Sequence, residues 1–291
     1  GSIGTNGILE GEIIIVYRLD ELKKLGKEKV EGKIVLFNRE MEPRNINTFK
    51  SYGSCVDQRV WGAAEAAELG AKAVLVRSMT HKNDEHPHTG TLIYKNKEKL
   101  IPGAAISFED ADKLETWLKS TKVFAQIKMN CKVYPDELSY NVIGEIWGKN
   151  KDSYLLTGGH LDSWDVGEGA HDDGAGCVHS IEALSLLKRL GYKPKNSLKV
   201  VLFMNEENGL RGATAYADSS KNNNIKHKAA IESDRGGFAP RGFSLDGPLE
   251  SMNLVKSWKY ILEYYGLHDF SEGGTGADIN PLKANEPNIL L

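Results

Sequence analysis

Residues 157–176 read TGGHLDSWDVGEGAHDDGAG. One His and two Asp follow a short apolar run, and a second His with two more Asp follows in a stretch broken by glycines. The preceding run, SYLLTGG (153–159), has the composition of a strand. The following segment, 174–190, reads as a helix with Val178, Ile181, Leu184, Leu187 and Cys177 on its inner side. Strand, loop and helix in that order make the repeating unit of an α/β sheet. The same grammar continues. LKVVLFMN (198–205) is almost wholly apolar, as in a sheet covered on both faces. GLRGATAYAD then reads as a helix and KAAIESD as a strand. DGP at 246–248 opens a helix that runs to Gly266, and PNILL (287–291) reads as one more strand.

Ligands of open α/β sheets bind beyond the carboxyl ends of the strands. His160 and Asp162 follow the first of these strands, Glu206 and Glu207 the second, and Asp234 the third. Asp172 and Asp173 stand just before a helix. A lone His or a lone Glu pair at a strand end is ordinarily structural or solvated. Three strand ends and a helix start carrying such residues together are not explained that way. Several uncompensated carboxylates brought together are costly, and a cation among them removes the cost. One imidazole with several carboxylates suits Zn²⁺, with Mn²⁺ or Co²⁺ as alternatives, whereas all-oxygen ligation would indicate Mg²⁺ or Ca²⁺. A carboxylate able to bridge points to two ions about 3.5–4 Å apart.

The first half is punctuated differently. GEIIIVY (11–17), GKIVLFN (32–38), AKAVLVRS (71–78), IPGAAIS (101–107) and VFAQIKMNCKVY (123–134) read as strands, with helices at DELKKL, WGAAEAAELG and 110–118. Pro135-Asp136 breaks the pattern. The expected organisation is a β-rich domain over 1–134 and, over 135–291, an α/β domain with a mixed, mostly parallel sheet and helices on both faces. The chain of 291 residues has 40% hydrophobic and 26% charged residues and a formal charge of −3. That balance, with no basic cluster, argues against a nucleic-acid partner. No run approaches the ~18 apolar residues of a membrane span. Cys55, Cys131 and Cys177 are isolated, without a zinc-type pair or a disulfide framework.

GGHLDSWDVGEGAHDDGAG, then FMNEENGLRGA, then ESDRGG, resembles the zinc exopeptidases of family M28. In the first half, EGKIVLFN, WGAAEAAELGAKAVLVRS, PHTG and IPGAAIS resemble the protease-associated domain inserted in one branch of that family. The resemblance implies that His160 and Asp234 bind one zinc, Asp172 bridges two, Glu207 binds the second, and Glu206 is the general base. It implies that Asp162 hydrogen-bonds the other nitrogen of His160, and that the Asp172–Asp173 peptide is cis. Asp278, in GGTGAD, together with Trp164 and Glu168, is expected near the substrate pocket. The expected activity is hydrolysis of peptide bonds in short peptides or dipeptides by a metal-activated water. The resemblance also implies a secreted or periplasmic location and a homodimeric partner.

The family pattern ends with a His that completes the second zinc and begins before its insert. The expectation is therefore an internal fragment of a longer enzyme, truncated at both ends, whose second site lacks its final His. His268, the only His after His227, stands too early for that role. His171 is expected at the pocket edge or facing solvent, and His179 in packing or exposed. His81, His86 and His88 are expected in a loop, and Cys177 in packing. Two other readings stay open: glutaminyl cyclisation or deacylation on the same scaffold, and a peptidase-like binding module without catalysis.

Overall fold

The computed structural model describes residues 1–291 except Thr275 and Glu286. The chain divides into two compact units, Gly1–Asp136 and Glu137–Leu291.

The first unit runs β1 (Leu9–Val16), α1 (Leu19–Val30), β2 (Ile34–Phe37), α2 (Thr48–Gly53), α3 (Asp57–Glu68), β3 (Ala73–Arg77), β4 (Gly103–Ile106), α4 (Phe108–Leu118) and β5 (Phe124–Ile127). Its sheet has the order β4-β3-β2-β1-β5, with β1 to β4 parallel and β5 antiparallel to β1. The five strands of this half, read as β-rich, are accompanied by four helices, one of which (α2) has no counterpart in the sequence reading. Strand alternation separates two cores. Val35, Phe37 and Val74 pack with Leu22, Val30, Ala63 and Ala66 of α1 and α3. Ile34, Leu36, Ala73 and Leu75 pack with Leu114 and Leu118 of α4. The strand expected over 123–134 stops at Ile127, because its ladder ends there: Leu9 opposite Ile127 closes the pairing with β1.

The second unit runs β6 (Val142–Ile146), β7 (Asn150–His160), a π-helical turn (Ala170–Gly174), α5 (Ala175–Arg189), β8 (Asn196–Phe203), α6 (Arg211–Asn222), β9 (Lys226–Glu232), β10 (Gly242–Leu245), α7 (Leu249–Ser257), α8 (Lys259–Leu262) and β11 (Asp269–Glu272). The main sheet has the order β6-β8-β7-β9, parallel except for β6 at its edge. β10 and β11 form a separate parallel pair. Val200 and Leu202 face Cys177 on α5, whereas Val201 and Phe203 face Ala213, Tyr216 and Ala217 on α6, so helices cover both faces of β8. The helix expected over 248–266 turns at Trp258 into two segments, α7 and α8. PNILL is represented by Leu290 alone, which bridges to Ala230 and Asp246.

The inner face of α5 differs from the sequence reading. Gly176, Cys177 and Ser180 are buried, Leu184 is partly buried, and Val178 and Ile181 are 62% and 45% exposed. The helix approaches the sheet so closely that only small side chains fit between. A Cβ on Gly176 would collide with the Ser233 carbonyl and the Asp173 carboxylate. Small residues therefore mark the buried side of the first turns, where Val178 and Ile181 are turned away.

Candidate metal centre

β7 lies between β8 and β9, and its last residue is His160. Parallel register sets His160 opposite Phe203 and Gly158 opposite Glu232. The chain therefore leaves all three strands at one edge, where the loops carry Asp162, Glu206–Glu207 and Asp234. TGGH is glycine-rich for a steric reason. A Cβ on Gly158 would collide with the Val201 carbonyl, and one on Gly159 with the Asp173 carboxylate.

His160 is buried, and its Nε2 lies 3.0 Å from Asp172 Oδ1 and 3.4 Å from Asp234 Oδ1. Ligand atoms of His160, Asp172 and Glu207 lie within 4.8 Å of one another, as do those of His160, Asp173 and Asp234. The Asp172–Asp173 peptide is cis. Asp173 is buried, and its carboxylate accepts the backbone N–H groups of His160 (3.1 Å) and Gly176 (3.0 Å). It thereby ties the end of β7 to the first turn of α5.

The second ring nitrogen of His160 has a different partner from the expected one. Nδ1 donates to the backbone carbonyl of Asp162 at 2.8 Å, and the Asp162 carboxylate is 3.9 Å away. That carboxylate instead accepts the backbone N–H of Glu206 (3.0 Å) and of Glu207 (3.3 Å). Two main-chain donors that follow β8 claim its lone pairs, so the imidazole takes the carbonyl.

The electrostatics describe a cage that attracts positive charge. Burial disfavours a charged His160, but hydrogen bonds to Asp172 and Asp234 outweigh it and push the imidazole up to about 12. The His160 hydrogen bond holds Asp172 below the usual carboxylate range. Burial, then the neighbouring Asp172 and Glu206 charges, push Glu207 up to about 7. Burial also raises Glu206. Burial and the Asp234 charge push Asp173 up to about 7. Glu207 Oε1 is buried and has no hydrogen-bond partner among the described residues. An imidazole nitrogen, clustered carboxylates and an orphaned carboxylate oxygen form a donor set that fits zinc.

The other expected residues divide. Asp278 is 1% exposed, and neither carboxylate oxygen has a hydrogen bond among the described residues. It backs the site instead of lining an open pocket, because the chain after residue 276 folds inward. Glu232 Oε2 accepts the N–H of Ile279 at 2.8 Å there. Burial, then each other's charge in the case of Asp278, push both Asp278 and Glu232 up to about 8. Trp164 (half-buried) and Glu168 (exposed) sit on the loop joining His160 to Asp172. His268 is exposed, with Nδ1 donating to the Gly266 carbonyl. His171 is exposed and accepts from Gly237 N–H, and the His179 ring lies beside Ser233. Sequence reasoning gave no role to Glu232, and none to the Asp173 carboxylate beyond its place in the acidic run and the cis peptide. A usable signal for Glu232 was present, since Ala230, Glu232 and Asp234 alternate in register, so the acid falls on the same side as a buried Ala.

Comparisons with known proteins place both units in a family context. Residues 141–273 match the model of peptidase family M28. Carboxypeptidase Q of Xenopus laevis is 41% identical over 296 aligned positions, which take in 100% of this chain and 61% of that protein. Carboxypeptidase Q of Bos taurus is 38% identical over 283 positions, 96% of this chain and 58% of that protein. The chain thus spans about three fifths of the length of the curated relatives it matches. Among solved structures, the peptidase M28 precursor of Shewanella amazonensis superposes with a TM-score of 0.88 at 33% identity, over 98% of this chain and 65% of that one. A likeness that runs through both units, and a family match that takes in His160, Asp172, Glu206, Glu207 and Asp234, lead to one conclusion: the chain belongs to peptidase family M28.

Proposed function

We propose that the protein containing this chain is a zinc-dependent exopeptidase that hydrolyses peptide bonds of short peptides or dipeptides. The observation that carries the reading is the common focus of the site, with Nε2 of His160 facing both Asp172 and Asp234 at 3.0 and 3.4 Å. His160 and Asp234 would hold one ion, Asp172 would be shared by two, and Glu207 would hold the second. Bound zinc would supply Lewis acidity toward water and toward the scissile carbonyl.

The chain's own groups do the rest. Glu206 receives the proton of the attacking water and returns it to the leaving amine. Its raised affinity for a proton, caused by burial, suits a group that must both take and give one. Asp162 holds the backbone at Glu206 and Glu207, so two adjacent carboxylates keep separate aims. The Asp162 carbonyl keeps the proton of His160 on Nδ1, which leaves Nε2 free as a ligand. Among the described residues no helix is long and apolar enough to cross a membrane. A secreted or periplasmic location and a homodimer remain proposals that rest on the family resemblance.

The test uses the complete protein. It should hydrolyse dipeptides and stop when zinc is chelated, and Glu206→Gln should lose turnover while keeping its zinc. Wild-type turnover in that variant would remove Glu206 from the role of base. Conversion of an N-terminal glutaminyl peptide to its cyclised form, without hydrolysis of dipeptides, would replace the peptidase reading with cyclisation.

A further inference from the structure

His171 immediately precedes Asp172, and its ring does not point at the ligand cluster. Nδ1 accepts the backbone N–H of Gly237 at 3.1 Å. The ring packs edge-to-face with Phe238, with centroids 5.2 Å apart. It also lies against Gly236, where a Cβ would collide with the imidazole. Gly236 has φ +84°, a conformation that glycine adopts without penalty. The segment it touches, residues 235–238, is the one that follows Asp234.

Within this segment the Arg235 guanidinium donates to Ser244 Oγ at 3.2 Å. Two successive glycines follow Arg235 and lead to Phe238, which is 83% exposed. The segment also packs against the turn that carries Asp172. Gly176 meets the Ser233 carbonyl, a Cβ on Gly237 would stand 3.3 Å from the Ala175 methyl, and His171 adds a directional hydrogen bond. The two loops so joined carry the two carboxylates that face Nε2 of His160.

We propose that His171 is a positioning residue for the metal centre: its Nδ1 clips the Asp234 loop to the Asp172 turn and sets the spacing of the two carboxylates before an ion arrives. The proposal rests on the zinc reading above. Metal sites tolerate ligand displacements of only about 0.2 Å. An Asp234 released from the clip must be ordered again on binding, and that cost appears as weaker affinity.

The test compares three variants of the complete protein. His171→Ala removes the clip. His171→Phe keeps a ring over Gly236 and Phe238 but offers no acceptor. His171→Asn restores an acceptor without the ring. Zinc affinity is measured on metal-stripped protein by competition with a chelating indicator. Exchange of the Gly237 amide hydrogen is measured on the same metal-free samples. His171→Ala and His171→Phe should bind zinc about tenfold more weakly, the lower end of what supporting residues of metal ligands contribute. Their Gly237 amide should exchange faster, and His171→Asn should stay close to wild type in both. Wild-type zinc affinity in His171→Ala, or unchanged exchange at Gly237 in both acceptor-less variants, overturns the clip. A wild-type protein that takes up no zinc overturns the function reading instead, and the exchange measurement still decides whether the clip exists.

Discussion

The carboxylate of Asp162 accepts the backbone N–H of Glu206 at 3.0 Å, and so joins the loop after β7 to the loop after β8. The contact to Glu207 N–H at 3.3 Å doubles the joint. Asp162→Asn leaves the backbone carbonyl that receives His160 Nδ1 and removes the anionic acceptor of two main-chain donors. Zinc content should stay near wild type, while kcat falls about 10- to 100-fold as the aim of Glu206 loosens. Steady-state kinetics beside metal analysis checks this. Loss of zinc with unchanged kcat per bound ion would place Asp162 with the imidazole instead.

A second prediction concerns pH and lies at the opposite end of the sheet. His227, at the start of β9, is 3% exposed, and its Nε2 pairs with the Tyr216 hydroxyl at 2.9 Å. Its Nδ1 has no hydrogen-bond partner among the described residues. Burial, then the charge of Lys199, lower the imidazole to about 4. The folded pKa is therefore below the ordinary value. The stability this neutral His allows is fully present above about pH 6.5 and drains away as pH falls toward 4, because the unfolded chain takes up the proton first. Between pH 7 and pH 4.5 that amounts to about 2–3 kcal/mol. Urea midpoints of wild type and His227→Gln at both pH values should show a smaller acid loss in the variant. An equal loss would mean that His227 does not govern it.

The neighbouring Lys199 offers a third. Its side chain is 5% exposed, its Nζ is 2.9 Å from Glu145, and it stands 4.0 Å from the centre of the Tyr154 ring. Removing one member of a buried pair leaves the other uncompensated. Glu145→Gln should cost about 2–3 kcal/mol, because Lys199 cannot reach water from beneath α6. Lys199→Met should cost less, because Glu145 is 23% exposed and can rehydrate. Denaturant titration of both variants gives the order. The reverse order would show that the aromatic contacts of Lys199 outweigh its charge.

A fourth concerns backbone proximity. Gly176→Ala places a methyl group on the Ser233 carbonyl and should destabilise the protein by about 3 kcal/mol or more, with loss of zinc, because α5 and the Asp234 loop are forced apart. Gly53→Ala, at a helical position with nothing within 4 Å of the new methyl group, should be neutral or slightly stabilising. Thermal unfolding of the pair is the check, and a tolerated Gly176→Ala would mean that α5 can stand off the sheet.

Much of the second unit was legible in order along the chain. Apolar runs ending at His160, before Glu206 and before Asp234 marked parallel strands, because a strand buried on both faces needs continuous apolar residues. The residue types gathered at those ends are the ones the structure brings together around His160. Strand limits were legible only in part. β5 stops where its partner β1 stops, a property of the pair and not of residues 123–134.

The sequence alone determined which side chains could take part at the strand ends, since short connections leave them nowhere else to go. Tertiary structure decided where each one points. Val178 and Ile181 turn outward because Gly176 and Ser180 let α5 touch the sheet. Asp162 serves two amides of another loop in place of its neighbour's ring. Asp278 is buried behind the site because the segment around Ile279 folds onto Glu232. Composition and periodicity describe a residue's own element. A hydrogen bond or a steric limit set by a distant segment comes into being only once the chain has closed on itself.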